Sequence, residues 1–547
     1  MSRILFLLLL PSSLFCFGGQ VVEGPLNPTN QTSRHTVTGT VTNAVTGEPA
    51  RRALVQMYGA ASGAVLTGSD GRFQFADVPE GRIFFNMQKP GFSDPANSAG
   101  RPNPGLTVGS GKNDFHLALL PNSKIVGHII DADGEPLENV QVQILLEQIW
   151  QGRKQWQPRN NAATDEDGSY CAEDLTPGRY VVFAMGGAVP QQSSNGPREV
   201  IAPRYYPAAP DLASAQPVDL RAGQEFRADF RLRAERGYRV TVQVSGVPAG
   251  QGVGFSMRNA DGQNFWSEGM QFDQAHGQLI VPALPSGVWT LSLNANDTQG
   301  HGYQTRQEIA VSHTDLDLQI PLRPAASIPV TVNHPATQAP DTEQPQILQM
   351  INGQKVMKPG ISATLIPTDA SIMQSIALQM QGDPPVLGFN DVPPGKYKLD
   401  VQAGNECVES AWYGSVDLTR DYVVIDANGG TQPLTINLRA DCGTLTAKLR
   451  PEERSHTGFV LVVPSSSVGE PKILQVQQAS TPIVFTGFAY QSLTLSPGSY
   501  QVFALTSLEG LEYSNPQALR NYPGQSVNLG PGQKTELTVE LTERKEN

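Results

Sequence analysis

An all-β chain, built as a tandem array of about five small sandwich domains, is predicted by three observations. A Pro-Gly corner recurs five times at domain-sized spacing, apolar and polar residues alternate on both sides of it, and no amphipathic helix of three turns is found. The corners are Val78-Pro79-Glu80-Gly81-Arg82-Ile83, Leu175-Thr176-Pro177-Gly178-Arg179-Tyr180, Leu284-Pro285-Ser286-Gly287-Val288-Trp289, Val392-Pro393-Pro394-Gly395-Lys396-Tyr397 and Leu495-Ser496-Pro497-Gly498-Ser499-Tyr500. Their glycines lie 97, 109, 108 and 103 residues apart, one sandwich-sized domain per copy. Pro presets the first turn dihedral, Gly is expected to take the positive φ that follows, and the chain re-enters a strand with its aromatic residue turned into the core.

The elements around each corner follow in order. Most units open on an alternating strand: Thr36 to Val41, Lys124 to Ile129, Tyr238 to Gln243 and Thr444 to Leu449. In the first two, a turn follows at Thr46-Gly47-Glu48-Pro49 and Asp133-Gly134-Glu135-Pro136. A second turn, Ser69-Asp70-Gly71 and Asp165-Glu166-Asp167-Gly168, then starts the strand that leads into the corner. Each unit closes on another alternating strand: Asp114 to Leu119, Phe226 to Leu232, Leu316 to Leu322, Leu434 to Leu438 and Thr535 to Leu541. The resulting division is a signal peptide over 1–18, a linker over 19–34, and sandwiches over 35–120, 121–234, 235–324, 325–440 and 441–543. Junctions such as Leu322-Arg323-Pro324-Ala325 are short, so a semi-rigid rod is expected.

At 547 residues the chain is too long for one core. Charged residues make up only 16%, and Gly 53 with Pro 43 imply many turns between short strands. The net charge of −12 and the lack of any dense Lys/Arg run exclude the electrostatic footprint of a nucleic-acid binder. Met1-Ser2-Arg3, the apolar run Ile4 to Leu10 and small residues near Gly18 read as a secretory signal, which implies an exported protein: periplasmic, cell-surface or extracellular. No later run is long enough for a membrane span.

The series Val-x-Gly-x-Val or its Ile variant, Gly-Glu-Pro, Asp-Gly-x-aromatic and the Pro-Gly corner resembles the carboxypeptidase regulatory-like domain, a transthyretin-like, Ig-like sandwich of seven strands. The likeness covers 35–120 and 122–233 well, and 235–543 only through the corner and its flanking strands. It implies a fold near carbohydrate-binding sandwiches, with no catalytic residues or cofactor of its own.

The residues hold no pattern of known catalytic chemistry. None of the eight histidines has Glu three positions on, as a zinc carboxypeptidase would need, and no Gly-x-Ser-x-Gly elbow occurs. Val108-Gly109-Ser110-Gly111-Lys112-Asn113 has the wrong glycine spacing for a phosphate loop, and Asp165-Glu166-Asp167-Gly168 is too short for a calcium loop. Catalytic and metal residues are therefore expected to be absent. The candidate ligand-binding residues are Trp150 and Trp156, in a segment that lengthens an otherwise short hairpin of the second unit. There they would stack on sugar rings or a protein partner, or else cover their own domain. Cys407 and Cys442 flank the fourth junction as a candidate disulfide, and Cys171 is expected to be a small buried hydrophobe. The function expected is that of a non-catalytic binding and spacing protein of the cell envelope, with carbohydrate as the first ligand and an envelope protein as the alternative.

Overall fold

The computed structural model describes residues 33–97, 105–109, 111, 113–150, 152–188, 198–298, 300–335, 347–351, 354–357, 361–368, 375–381, 386–426, 431–449, 457–465, 471–477 and 492–543. The signal segment 1–18 and nearly all of the 19–34 linker lie outside them. What is described is β-strand joined by turns, with one α-helical turn, Pro516–Leu519. The all-β tandem architecture read from the repeats is the architecture of the molecule.

One topological rule runs through all five units. The opening strand of each pairs antiparallel with the strand that leads into the Pro-Gly corner and parallel with the strand that closes the unit. Thus Arg34–Asn43 lies between Arg72–Pro79 and Asp114–Pro121, and Tyr238–Ser245 between Gln278–Leu284 and Leu316–Pro321. Ser123–Ile130, Ala326–Asn333 and Gly443–Leu449 repeat the arrangement. The second sheet is centred on the strand after the corner: Gly81–Gln88, Gly178–Ala184, Gly287–Asn296, Gly395–Gln402 and Gly498–Leu505. Between the two sheets sits one apolar cluster per unit, fed by the inward positions of strands that alternate buried and exposed. Because the closing strand runs parallel to the opening one, the chain leaves each unit at the far end from its entry. The next unit then begins within a few residues, as at Pro121 and Ser123.

The corners owe their repetition to a hydrogen bond as well as to the turn. The aromatic two residues after Gly donates back to the carbonyl four residues earlier: Tyr180 to Thr176 at 2.6 Å, Tyr397 to Pro393 at 2.7 Å, Tyr500 to Ser496 at 2.6 Å, and the Trp289 indole to Pro285 at 3.0 Å. The ring fills the core while its polar end satisfies a turn carbonyl. In the first unit Ile83 supplies only the packing.

The expected positive φ at the corner glycine holds for Gly81 and Gly287, at 146° and 147°, but is not found at Gly178, Gly395 or Gly498. Left-handed residues also lie just upstream of the corners of the first, second and fourth units, at Asp77, Asp174 and Asp391, with φ of 57°, 56° and 53°. In each of these units the ladder with the opening strand shifts register there, so the Asp sits in a β-bulge that turns the strand into the corner. Gly127, inside the opening strand of the second unit, has a different reason. A Cβ there would collide with the Ala228 carbonyl and with the ring of Tyr170, whose hydroxyl donates to that same carbonyl at 2.6 Å.

Two units carry a further apolar cluster on the outer face of the second sheet. In the second unit Leu145, Val181, Phe183 and Tyr205 form it; in the fifth, Phe503, Leu505, Leu508, Leu511 and Leu519 do, with Leu461. The covering segments are those between the corner strand and the next strand, around Arg204-Tyr205-Tyr206-Pro207 and Asn521-Tyr522-Pro523.

Candidate functional site

The hairpin that carries the two candidate tryptophans is one of the two longest pairings among the described residues, with that of Gly287–Asn296 and Gly302–Val311. Gln141–Trp150 and Arg153–Ala163 match over ten rungs, with Trp150 opposite Arg153 and Trp156 opposite Glu147. Side chains alternate faces along a strand, so positions 150 and 147 point to opposite sides, and the tryptophans do too. Trp156 lies partly buried against the outer cluster of its own domain, whereas Trp150 is 58% exposed. The two rings therefore make no common platform. The reading in which a tryptophan covers its own domain describes Trp156, and Trp150 alone faces outward.

Trp150 stands beside Arg153 and Gln155 at a narrow cleft whose other wall is Ile366, Pro367, Thr368 and Lys398 of the fourth unit. The hairpin is braced by Glu147, 14% exposed, whose carboxylate meets Lys154 Nζ at 3.0 Å and Arg179 Nε at 3.6 Å. Two other tryptophans also present their rings outward: Trp266, 57% exposed and stacked on Phe255, and Trp412, 39% exposed. Trp289 is buried in the third core.

Cys407 and Cys442 are joined in a disulfide with their Cα atoms 5.9 Å apart. It ties the strand Cys407–Tyr413 to the residues just past Leu434–Arg439, at the boundary of the fourth and fifth units. Cys171 corrects the expectation of a buried hydrophobe: it is exposed. The strand Ser169–Leu175 sends Tyr170 and Ala172 inward, so alternation leaves Cys171 outside, where its thiol lies 3.7 Å from Glu173 Oε1. Partial desolvation, and then the Glu173 carboxylate, push the thiol pKa up, away from the reactive thiolate.

Several of the acids and histidines are engaged in local structure. Asp165 Oδ1 accepts from the Asp167 and Ser169 amides at 3.0 and 2.8 Å, so this carboxylate holds a turn. His276 pairs with Asp273 at 2.7 Å and His301 with Asp297 at 2.9 Å, each within one turn. Among the described residues no three of His, Cys, Asp and Glu come together as a metal-ligand set.

A cleft of about 470 Å³ opens where the fourth unit meets the fifth, lined by Asn333, His334, Glu409, Asn437, Arg439 and Asp441 among others. Arg439 and Asp441 are paired there at 2.6 and 2.8 Å, which holds the Asp441 carboxyl below the usual carboxylate range. His334 Nδ1 meets Glu406 Oε2 at 2.7 Å. No sequence motif marks this cleft, because its residues come from three separated segments and are individually ordinary.

No curated protein matches the chain. Among solved structures it is similar to the Bacillus anthracis TIE protein, at 14% identity and a TM-score of 0.17, with 53% of this chain and 51% of that one covered. The match thus spans about half the length of that protein. It is also similar to GBS52, the minor pilin of Streptococcus agalactiae, at 13% identity and a TM-score of 0.22, covering 37% and 96%. The shaft pilin SpaA of Lactobacillus rhamnosus GG follows at 10% identity and a TM-score of 0.19, covering 36% and 98%. The family model of the Carboxypeptidase regulatory-like domain matches residues 124–233, so the second unit, with the long hairpin and Trp150, is the part of the chain that is similar to that family.

Proposed function

We propose that the protein is an exported, non-catalytic binding and spacing array of the cell envelope whose first ligand class is carbohydrate. The observation that carries the reading is the exposure of tryptophan. Three of the five, Trp150, Trp266 and Trp412, are more than one-third exposed, although this residue is on average well buried. Exposed indole faces flanked by Arg153 and Gln155, as at Trp150, offer stacking area and hydrogen-bond donors to a sugar ring. The Cys407–Cys442 disulfide suits an oxidising compartment, which supports export. The match of the second unit to a regulatory rather than a catalytic domain supports the absence of chemistry.

The test is retention of residues 19–547 on a panel of soluble and insoluble polysaccharides, with Trp150→Ala, Trp266→Ala and Trp412→Ala beside the unaltered chain. Retention on one glycan, weakened at least tenfold by one of the three substitutions, is expected. Retention on none would move the protein to a purely structural or adhesive role through protein contacts.

A further inference from the structure

We infer that the second to fifth units close on themselves, the tip of the long hairpin acting as a clasp seated on a cap of the fifth unit. A straight rod would hold these two units apart by the whole length of the third and fourth. Instead the Ser514 amide donates to the Gly152 carbonyl at 3.0 Å, and the Lys154 amide donates to Glu512 Oε1 at 3.2 Å. Gly152 takes a φ of 73°, and a Cβ there would run into the Tyr513 ring and the Ser514 side chain. The tip is thus shaped for the surface it meets as well as for its own turn.

Both partners are built to hold this contact. Along the hairpin, Glu147 fixes Lys154 and Arg179, and ten rungs of ladder carry the tip well beyond its own sandwich. In the first unit the equivalent pairing has four rungs. On the fifth unit, the cap that holds Glu512 and Ser514 is anchored by Leu508, Leu511 and Leu519 in a cluster of its own, with Tyr513 packed against it.

The remaining contacts complete a circuit. The second unit meets the third where Leu212 donates to Asp261 Oδ2 at 2.9 Å and where Val200 enters the third core. The third meets the fourth where Gln304 Nε2 donates to the Val392 carbonyl at 2.8 Å. The fourth meets the fifth where Ser496 Oγ donates to the Val408 carbonyl at 2.7 Å, beside the disulfide. Trp150, Arg153 and Gln155 then lie against Ile366, Pro367 and Lys398 across the middle. Four sandwiches closed in this way form a frame with fixed spacing, and the clasp joins its two ends through a hairpin tip rather than a covalent junction. The inference does not depend on what the array binds.

The test introduces Lys154→Cys and Glu512→Cys together in a Cys171→Ser background and joins them with a short bis-maleimide at low protein concentration, with peptide mapping of the product. A cross-linked monomer is expected, and adding Gly152→Trp is expected to reduce its yield at least tenfold. A cross-linked dimer in place of the monomer would overturn the clasp by assigning the contact to two copies, and a folded chain that gives no product would overturn it outright. Hydrogen exchange gives a second readout without cross-linking: slow exchange at the Ser514 amide of the unaltered chain, accelerated at least tenfold by Gly152→Trp, is expected, and free exchange in the unaltered chain would contradict the closure.

Discussion

Single atoms decide several features of this molecule. The Tyr180, Tyr397 and Tyr500 hydroxyls each close a corner onto a carbonyl four residues back. Replacing Tyr397 by Phe keeps the ring and removes the bond, and is expected to cost about 1 kcal/mol, read as a fall in the denaturant midpoint without a change of slope. Gly127→Ala forces a methyl group onto the Ala228 carbonyl and the Tyr170 ring, and is expected to destabilise the second unit by about 2–4 kcal/mol. The two candidate tryptophans separate at this scale. Trp156→Ala removes a ring packed on its own domain and is expected to cost about 1–3 kcal/mol, whereas Trp150→Ala should leave the melting of the second unit within about 0.5 kcal/mol of the unaltered chain. Their opposite faces follow from the register of the hairpin, which sets Trp156 across from Glu147, three positions from Trp150 and therefore on the other face. The exposure of Cys171 follows equally from its neighbours, since Tyr170 and Ala172 claim the inward positions.

At the scale of the element, the disulfide and the ion pair beside it mark the fourth junction. Cys407 and Cys442 close a loop spanning 35 positions, so Cys407→Ser with Cys442→Ser is expected to lower the stability of the fourth unit by about 3–4 kcal/mol. Reductant should produce the same fall in the unaltered chain and none in the variant, as followed by calorimetry. Arg439 holds the Asp441 carboxyl below its ordinary pKa, and His276 does the same for Asp273. A carboxyl depressed in the folded state stabilises above its unfolded pKa and loses that contribution as pH falls through the folded value. Stability should therefore be level from neutrality down to about pH 4 and decline below it, and Arg439→Met should make the decline shallower in a melting series. Strands, corners and unit count were legible because each is a local pattern repeated five times. The bulge aspartates were less so, because a left-handed Asp before a corner differs from an ordinary turn carboxylate only in the register of the strand it pairs with.

The whole molecule is where the residues were least informative. Short junctions suggested a rod, since a short linker restricts motion, but they do not fix the angle between neighbours. That angle depends on pairs such as Leu212 with Asp261 and Gln304 with Val392, which are 49 and 88 positions apart, and the closing contact joins Lys154 to Glu512 across 358. The cleft lined by His334, Glu409 and Arg439 was invisible for the same reason. A closed frame presents Trp150 at the meeting of the second and fourth units, at a set distance from Trp266 and Trp412, and so gives the exposed rings a fixed geometry for an extended ligand. The measurement that tests this picture most directly is small-angle scattering from residues 19–547 in dilute solution. Closure of the second to fifth units, with the first unit extending from them, predicts a radius of gyration of about 30 Å, somewhat above the roughly 24 Å of a fully compact chain of this length. A value of about 50 Å, that of five sandwiches of roughly 35 Å laid end to end, would contradict it.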